Sequence, residues 1–66
     1  SHHETMRLMM AFRLQEIYNA LEDMADSAED LNRMGAESAL RTARDRIEDA
    51  AVDLHIQELF SEGRDE

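Results

Sequence analysis

The residues of this chain with the most chemical potential are its few histidines and its many carboxylates. His55 and Glu58 are spaced i, i+3, an interval at which glutamate and histidine ligate metals when both point into a helical bundle. Because Leu54 takes the core-facing position on the same helix, we expect His55 to face outward. We therefore predict no metal site and no bound cofactor, and we interpret His55 as a surface or interface residue.

The chain begins with Ser1, His2 and His3, which would bind copper or nickel through a free terminal amine and the third-position imidazole. We interpret residues 1–3 as the remnant of an affinity tag and leave them out of the functional reasoning. Beyond this leader, His55 is the only histidine and cysteine is absent, so neither a Ser/His/Asp nor a Cys/His set is credible. We predict that the protein is not an enzyme.

Carboxylates outnumber cations in this chain by more than two to one. Sixteen acidic residues stand against seven basic ones, all arginine, and the formal net charge is −9. This balance argues against direct binding of nucleic acid phosphates. It leaves open an acidic face that mimics a nucleic acid backbone and inhibits a nucleic-acid-binding protein, although a solvated helix face is the simpler interpretation. The residues of that alternative are Asp23, Asp26, Glu29 and Asp30.

Length and composition limit the fold that positions these groups. Sixty-six residues allow one small domain, and no cysteine is present to form a disulfide or a zinc cluster. No apolar run reaches the roughly 20 residues that span a bilayer, and no signal-peptide pattern is visible. We expect a cytoplasmic protein without membrane contact. Packing against another chain is the remaining way to stabilise so small a domain.

Two glycines and the absence of proline indicate two long helices. Gly35 and Gly63 can each end a helix by adopting the left-handed conformation, which costs other residues more. We predict an all-α fold, an antiparallel two-helix hairpin. Its parts are a helix over 4–33, a turn over 34–36, a second helix over 37–62 and a flexible acidic tail over 63–66.

Apolar residues on both helices recur at alternating steps of four and three, the spacing of a packing seam. A capping-box spacing at Ser27 and Asp30 would start a new helix after Asp26, but the unbroken seam favours one continuous helix. The first seam is Met10, Leu14, Ile17, Leu21, Met24, Ala28 and Leu31, and the second is Leu40, Ala43, Ile47, Ala50 and Leu54.

Charge placement supports antiparallel helices. A turn at Gly35 brings Arg41, Arg44 and Arg46 opposite the acidic stretch over 22–30. Each exposed ion pair contributes only about 0 to 1 kcal/mol, so these charges select the topology rather than supply the stability.

Two helices form too thin a layer to shield their apolar residues on all sides. We expect the hairpin to self-associate into a four-helix bundle, most simply as a homodimer. The interface is expected where the two ends of the chain meet, and a heterologous protein partner is the alternative occupant of this surface. The predicted interface residues are Met6, Leu8, Met9, Phe12, Val52, Ile56, Leu59 and Phe60.

In its overall plan the chain resembles Rop-type helical hairpins, with two seamed helices, a tight turn and an acidic tail after Phe60. The resemblance implies a dimeric four-helix bundle. RNA binding does not follow from it, because the first helix carries only Arg7, Arg13 and Arg33 among seven acids. The plan is also similar to the dimerisation helices of sensor histidine kinases, but the first helix has no suitably placed phosphoacceptor histidine.

These observations predict a non-enzymatic, homo-oligomeric helical interaction module, a small regulator or adaptor that acts through protein contacts. Two alternatives remain open, the acidic inhibitor of a nucleic-acid-binding protein and a dimerisation module of a larger signalling protein. Salt distinguishes the first alternative, since binding by an acidic mimic weakens steeply with ionic strength while apolar association persists.

Overall fold

The computed structural model describes residues 2–56, which form two helices packed against each other as a hairpin. Helix α1 spans His2–Asp30 and helix α2 spans Met34–Asp53. The predicted all-α hairpin is confirmed. Neither helix of this segment is long and apolar enough to cross a membrane. Leu59, Phe60 and the predicted tail over 63–66 lie outside the described residues.

The turn between the helices is built on Asn32 instead of Gly35. Asn32 has a φ of 61°, and its N–H donates to the carbonyl oxygen of Glu29 at 3.0 Å. The N–H of Arg33 donates to the carbonyl oxygen of Ala28 at 2.9 Å, which completes a Schellman motif. Asparagine enters the left-handed region more readily than most residues, so it ends α1 without a glycine.

The predicted boundaries of the turn are therefore wrong. The helices are connected by residues 31–33 instead of 34–36, and Gly35 lies in the first turn of α2 without a positive φ. At its other end α1 begins at His2, two residues before the predicted start. The helix runs unbroken through Ser27, as the continuous seam predicted.

Helix α2 ends at Asp53 in a second Schellman motif, so its predicted continuation is not found at residues 54–56. His55 has a φ of 60°, and the N–H of Ile56 donates to the carbonyl oxygen of Ala51 at 3.0 Å. Arg7 closes this helix end from α1, with Nε 3.2 Å from the Leu54 carbonyl oxygen and Nη2 2.6 Å from that of His55. A cation at a helix C-terminus is favourable because it binds carbonyl groups left without a helical partner.

The two helices contact each other mainly through small residues. The buried residues of α1 are Ala11, Tyr18, Ala25 and Ala28. Ala51 of α2 and Ile56, which follows α2, complete the core. Ala11, Tyr18, Ala51 and Ile56 form one cluster, and the partly buried Leu14, Ile47 and Leu54 pack against it. Since the distance between helix axes depends on side-chain size at the contact, the alanines allow the helices to approach closely.

The first predicted seam is half correct. Leu14, Leu21 and Ala28 lie on the inner side of α1, but the other half of the seam is formed by Ala11, Tyr18 and Ala25. The predicted seam residues Met10, Ile17, Met24 and Leu31 are instead exposed. The reason is that α1 is turned by about half of the 100° between successive residues, which keeps Leu14, Leu21 and Ala28 on the inner side and brings Ala11, Tyr18 and Ala25 there as well.

Candidate interaction surface

Most of the large apolar side chains of the described segment lie outside its core. Among residues 2–56, the buried core includes two large residues, Tyr18 and Ile56. Monomeric soluble proteins seldom expose large contiguous apolar patches, and those that do often bind a partner there. The exposed large hydrophobic residues are Met6, Leu8, Met9, Met10, Phe12, Ile17, Met24, Leu31, Met34 and Val52.

Four of these residues form a regular stripe along α1. Met10, Ile17, Met24 and Leu31 recur at every seventh position and are 40%, 45%, 48% and 71% exposed. The first three directly precede the buried Ala11, Tyr18 and Ala25, so the stripe lies about 100° around the helix from these buried residues. In a four-helix bundle each helix packs against two neighbours and needs two apolar stripes of this kind.

Helix α2 carries small residues on the same side of the hairpin. Its stripe also directly precedes core-facing positions, as Ala50 precedes Ala51. Because the helices run in opposite directions, a shift of one residue toward the N-terminus turns both stripes to the same side. We call this side the apolar face. On α1 it consists of Met6, Met10, Arg13, Ile17, Ala20, Met24, Ser27 and Leu31, and on α2 of Ala36, Ala39, Ala43, Arg46, Ala50 and Asp53.

The apolar face is open and mostly free of charge. At its N-terminal end Met6, Met9, Met10 and Arg13 line an open depression of about 190 Å³. Methionine side chains are unbranched and adapt readily to a partner's shape. The three charged residues of the face, Arg13, Arg46 and Asp53, make no ion pair with another residue of the 2–56 segment.

The opposite side of the hairpin carries ion pairs that are formed within the chain, and we call it the polar face. Its paired residues are Glu22, Asp26, Glu29, Glu37, Arg41, Arg44 and Asp45. Arg41 contacts Oε2 of Glu37 through Nε at 3.0 Å and Nη2 at 2.9 Å. Its Nη2 also lies 3.4 Å from Asp26 and 3.5 Å from Glu29. The hydrogen bond to Glu37, followed by the nearby carboxylate charges, raises the pKa of Arg41 above its ordinary value.

Arg44 forms the second centre of the polar face. Nη1 lies 3.5 Å from Glu22, and Nη2 donates to Asp45 at 3.1 Å. The guanidinium carbon lies 5.8 Å from the centre of the Tyr18 ring, within cation–π range. The predicted opposition to the acidic stretch of α1 is thus present for Arg41 and Arg44. For Arg46 the prediction is wrong, because Arg46 lies on the apolar face and makes no ion pair within the 2–56 segment.

The acidic residues of the alternative hypothesis are exposed, but they do not form one free surface. Asp26 and Glu29 share Arg41, while Asp23 and Asp30 lie elsewhere on the exposed surface of α1. Half of the proposed mimic is thus partly neutralised by the hairpin itself.

The structure divides the predicted interface residues among several places. Met6 lies on the apolar face and Met9 at its edge, beside the depression. Phe12 and Val52 follow the buried Ala11 and Ala51 by one residue, and Leu8 lies one helical turn before Phe12. These three residues are exposed on the polar side of the hairpin, at the end opposite the turn, which we call the open end. We call the three residues, Leu8, Phe12 and Val52, the end patch.

Ile56 has a position that differs from the prediction. An outer position next to Val52 requires α2 to continue as a helix, but the left-handed His55 turns the chain back and Ile56 is only 1% exposed. Its predicted place on an outer stripe is therefore wrong. The interface role of Leu59 and Phe60 stays a prediction, since both lie outside the described residues.

The hydrophobic spacing predicted the wrong contact for the large residues of the apolar face on α1. Met10, Ile17, Met24 and Leu31 were expected between the two helices of one chain. A sign of the alternative was present, because Ala11, Tyr18 and Ala25 repeat at the same interval one position later. The closing role of Arg7 had no comparable signal in the sequence.

The described residues include few groups that could bind a metal ion. Within the 2–56 range, no group of three or more His, Cys, Asp or Glu side chains is placed to hold a metal ion. His55 is exposed and occupies the turn after α2. Its predicted spacing partner, Glu58, lies beyond the described segment.

Comparisons with protein families, with curated proteins and with solved structures find no match to this chain.

Proposed function

We propose that the protein is a non-enzymatic, cytoplasmic interaction module that pairs with a second copy of itself as a four-helix bundle. In this role it acts as a small regulator or adaptor through protein contacts. The observation that carries the proposal is the apolar face, where a stripe of large side chains along α1 lies beside the alanines of α2.

The dimensions of the hairpin support this proposal. Its principal extents are 46, 21 and 14 Å, and the smallest of them is close to the 10–12 Å diameter of a single helix with its side chains. Such a layer covers its apolar side chains from one direction only. A second layer on the apolar face would remove them from water, and burial of apolar surface is the main favourable contribution to folding and association.

The end patch suits the adaptor part of the proposal. Leu8, Phe12 and Val52 lie on the polar side of the hairpin, so a second copy on the apolar face would leave them exposed. The patch remains available to a heterologous protein in the assembled dimer. A dimerisation module of a larger signalling protein would use the same apolar face, and therefore fits the same geometry.

The acidic-mimic alternative gains no support from the arrangement of the charges. A mimic needs carboxylates that are free to meet a basic groove, whereas Arg41 already binds Asp26 and Glu29. The remaining acidic residues are typical of a solvated helix face.

Light scattering tests the proposal by measuring the molar mass at several protein concentrations and at two salt concentrations. We expect a dimer that persists or strengthens in high salt, because apolar association is not screened. A folded monomer at every concentration would overturn the proposal. Binding to a nucleic-acid-binding protein that weakens steeply with salt would favour the acidic mimic.

A further inference from the structure

We infer that a second copy covers the apolar face in one particular orientation, with the two-fold axis parallel to the helices and α1 of each copy packed on α2 of the other. This inference rests on the proposed self-association and specifies its partner and geometry. Both turns would then lie at one end of the bundle and both open ends at the other. Neighbouring helices would all be antiparallel.

The first support comes from side-chain size. On the apolar face the large residues belong to α1, while α2 offers mainly alanines. Placing α1 on α2 of the second copy sets large side chains against small ones, which keeps the two layers evenly spaced. Turning the second copy end for end would instead place α1 on α1 and α2 on α2. Large residues would then oppose large ones and alanines would oppose alanines, which packs unevenly.

The register of the hairpin makes this complementarity specific. The side-chain contacts between the helices join Arg44 to Tyr18 and Glu22, and Arg41 to Asp26 and Glu29. The residue numbers of these four pairs add up to 62, 66, 67 and 70, so residues whose numbers add up to about 66 or 67, near the centre of this range, lie level across the hairpin. A two-fold axis parallel to the helices preserves this height, so the same rule relates α1 to α2 of the second copy. Three of the four large residues of the stripe then meet an alanine. The matches are Ile17 with Ala50, Met24 with Ala43, and Leu31 with Ala36.

The charges of the face follow the same register. Arg13 lies level with Asp53 of the second copy, so two opposite charges that make no ion pair within residues 2–56 come together. Arg46 lies level with Ala20, a small residue that leaves room for its long side chain. The symmetric dimer contains each match twice, because one surface serves both copies. Size and charge therefore select the same orientation.

A mixing experiment with two single variants tests this orientation. Arg13→Asp sets like charges against Asp53 of the second copy, and Asp53→Arg does the same against Arg13. Each variant alone should form its homodimer roughly tenfold more weakly, since an attraction becomes a repulsion at two places. A heterodimer of the two variants regains opposite charges at both places. Mixing them in equal amounts should therefore restore wild-type affinity within about threefold, by sedimentation velocity with one variant labelled.

A matched control keeps the test specific to this pair. Arg46→Asp makes the same charge change on the same face, but the residue level with Arg46 on the second copy is the uncharged Ala20. Mixing Arg46→Asp with Asp53→Arg should give no selective heterodimer. All three positions are exposed, and circular dichroism of each variant establishes that the helices are retained.

The outcomes separate this inference from the proposed function. A dimeric wild type whose two single variants do not recover on mixing would overturn the orientation and leave self-association standing. A wild type that stays a folded monomer would overturn both. Equal recovery with the Arg46→Asp control would also contradict the orientation, because it would reduce the effect to overall charge.

Discussion

The polar and apolar faces of this hairpin treat their side chains in opposite ways. On the polar face, Arg41 and Arg44 are surrounded by carboxylates of the same chain. On the apolar face, Arg13 and Asp53 make no ion pair within the described segment, and large hydrophobic residues lie in water. Arg41 and Arg44 of the polar face are thus paired within one chain, whereas the apolar face has the pattern of half an interface.

This difference shows how a short chain divides its apolar residues. The contact within the chain uses mainly alanines, which bring α1 and α2 close together. The larger Met10, Ile17 and Met24 are left for a second layer. A small domain buries too little surface to be robust alone, and here the side chains that would enlarge its core point away from it.

The largest expected effect comes from placing charge on the apolar face. Replacing both Ile17 and Met24 by Asp removes two large apolar contacts and leaves carboxylates without partners in the interface. We expect the dimer to be lost, with association at least about a thousandfold weaker, or more than roughly 4 kcal/mol. Molar mass from light scattering measures this effect.

The matched control places the same two charges elsewhere. Ser38 and Thr42 are exposed on α2 and lie outside the apolar face. Replacing both by Asp should leave the dimer intact. Equal loss of assembly in the two double variants would mean that net charge, and not the apolar face, governs association.

The next effect distinguishes the core from both faces. Ile56 is 1% exposed and belongs to the core cluster, so Ile56→Ala should lower the free energy of unfolding by about 2 to 4 kcal/mol. Val52→Ala, at a residue 53% exposed, should cost less than about 1 kcal/mol. Urea unfolding at one fixed protein concentration compares them, because dimer stability depends on concentration. Similar costs for both variants would place Ile56 outside the core.

The smallest effect concerns the polar face. Arg41→Gln removes ion pairs with Asp26 and Glu29, whose side chains are 70% and 63% exposed, and with the partly buried Glu37. Ion pairs at the protein surface contribute little to stability. We expect a slightly lower melting temperature, unchanged molar mass, and a difference from wild type that shrinks in high salt. If Arg41→Gln abolished the dimer, the polar face would belong to the interface and the contrast between the faces would fail.

The overall fold was predictable because hydrophobic spacing and charge placement agree on it. The two long apolar repeats indicate two helices, and the positions of Arg41 and Arg44 favour an antiparallel pair. The turn was misplaced because glycine was given priority over Asn32. Asparagine also adopts the left-handed conformation, so the sequence contained this signal.

The assignment of residues to faces was harder to predict. Two stripes on α1 share a repeat of seven residues and differ by one position, so periodicity alone does not decide which one meets α2. Hydrophobicity favours the stripe of Met10, Ile17 and Met24, whereas close helix packing favours Ala11, Tyr18 and Ala25. The break at His55 was not predictable, because it depends on Arg7 and on the burial of Ile56, both contacts distant in sequence.

The most direct test of the two-faced hairpin uses its natural methionines as probes. Methyl NMR with a soluble paramagnetic agent measures how accessible each methionine is. At concentrations where the protein is assembled, we predict that the methyl groups of Met10 and Met24 are shielded from the agent. Met34, which is 74% exposed and lies beyond the apolar face, should remain accessible. Equal accessibility of all three methyl groups would contradict the account, because the apolar face would then be open to water.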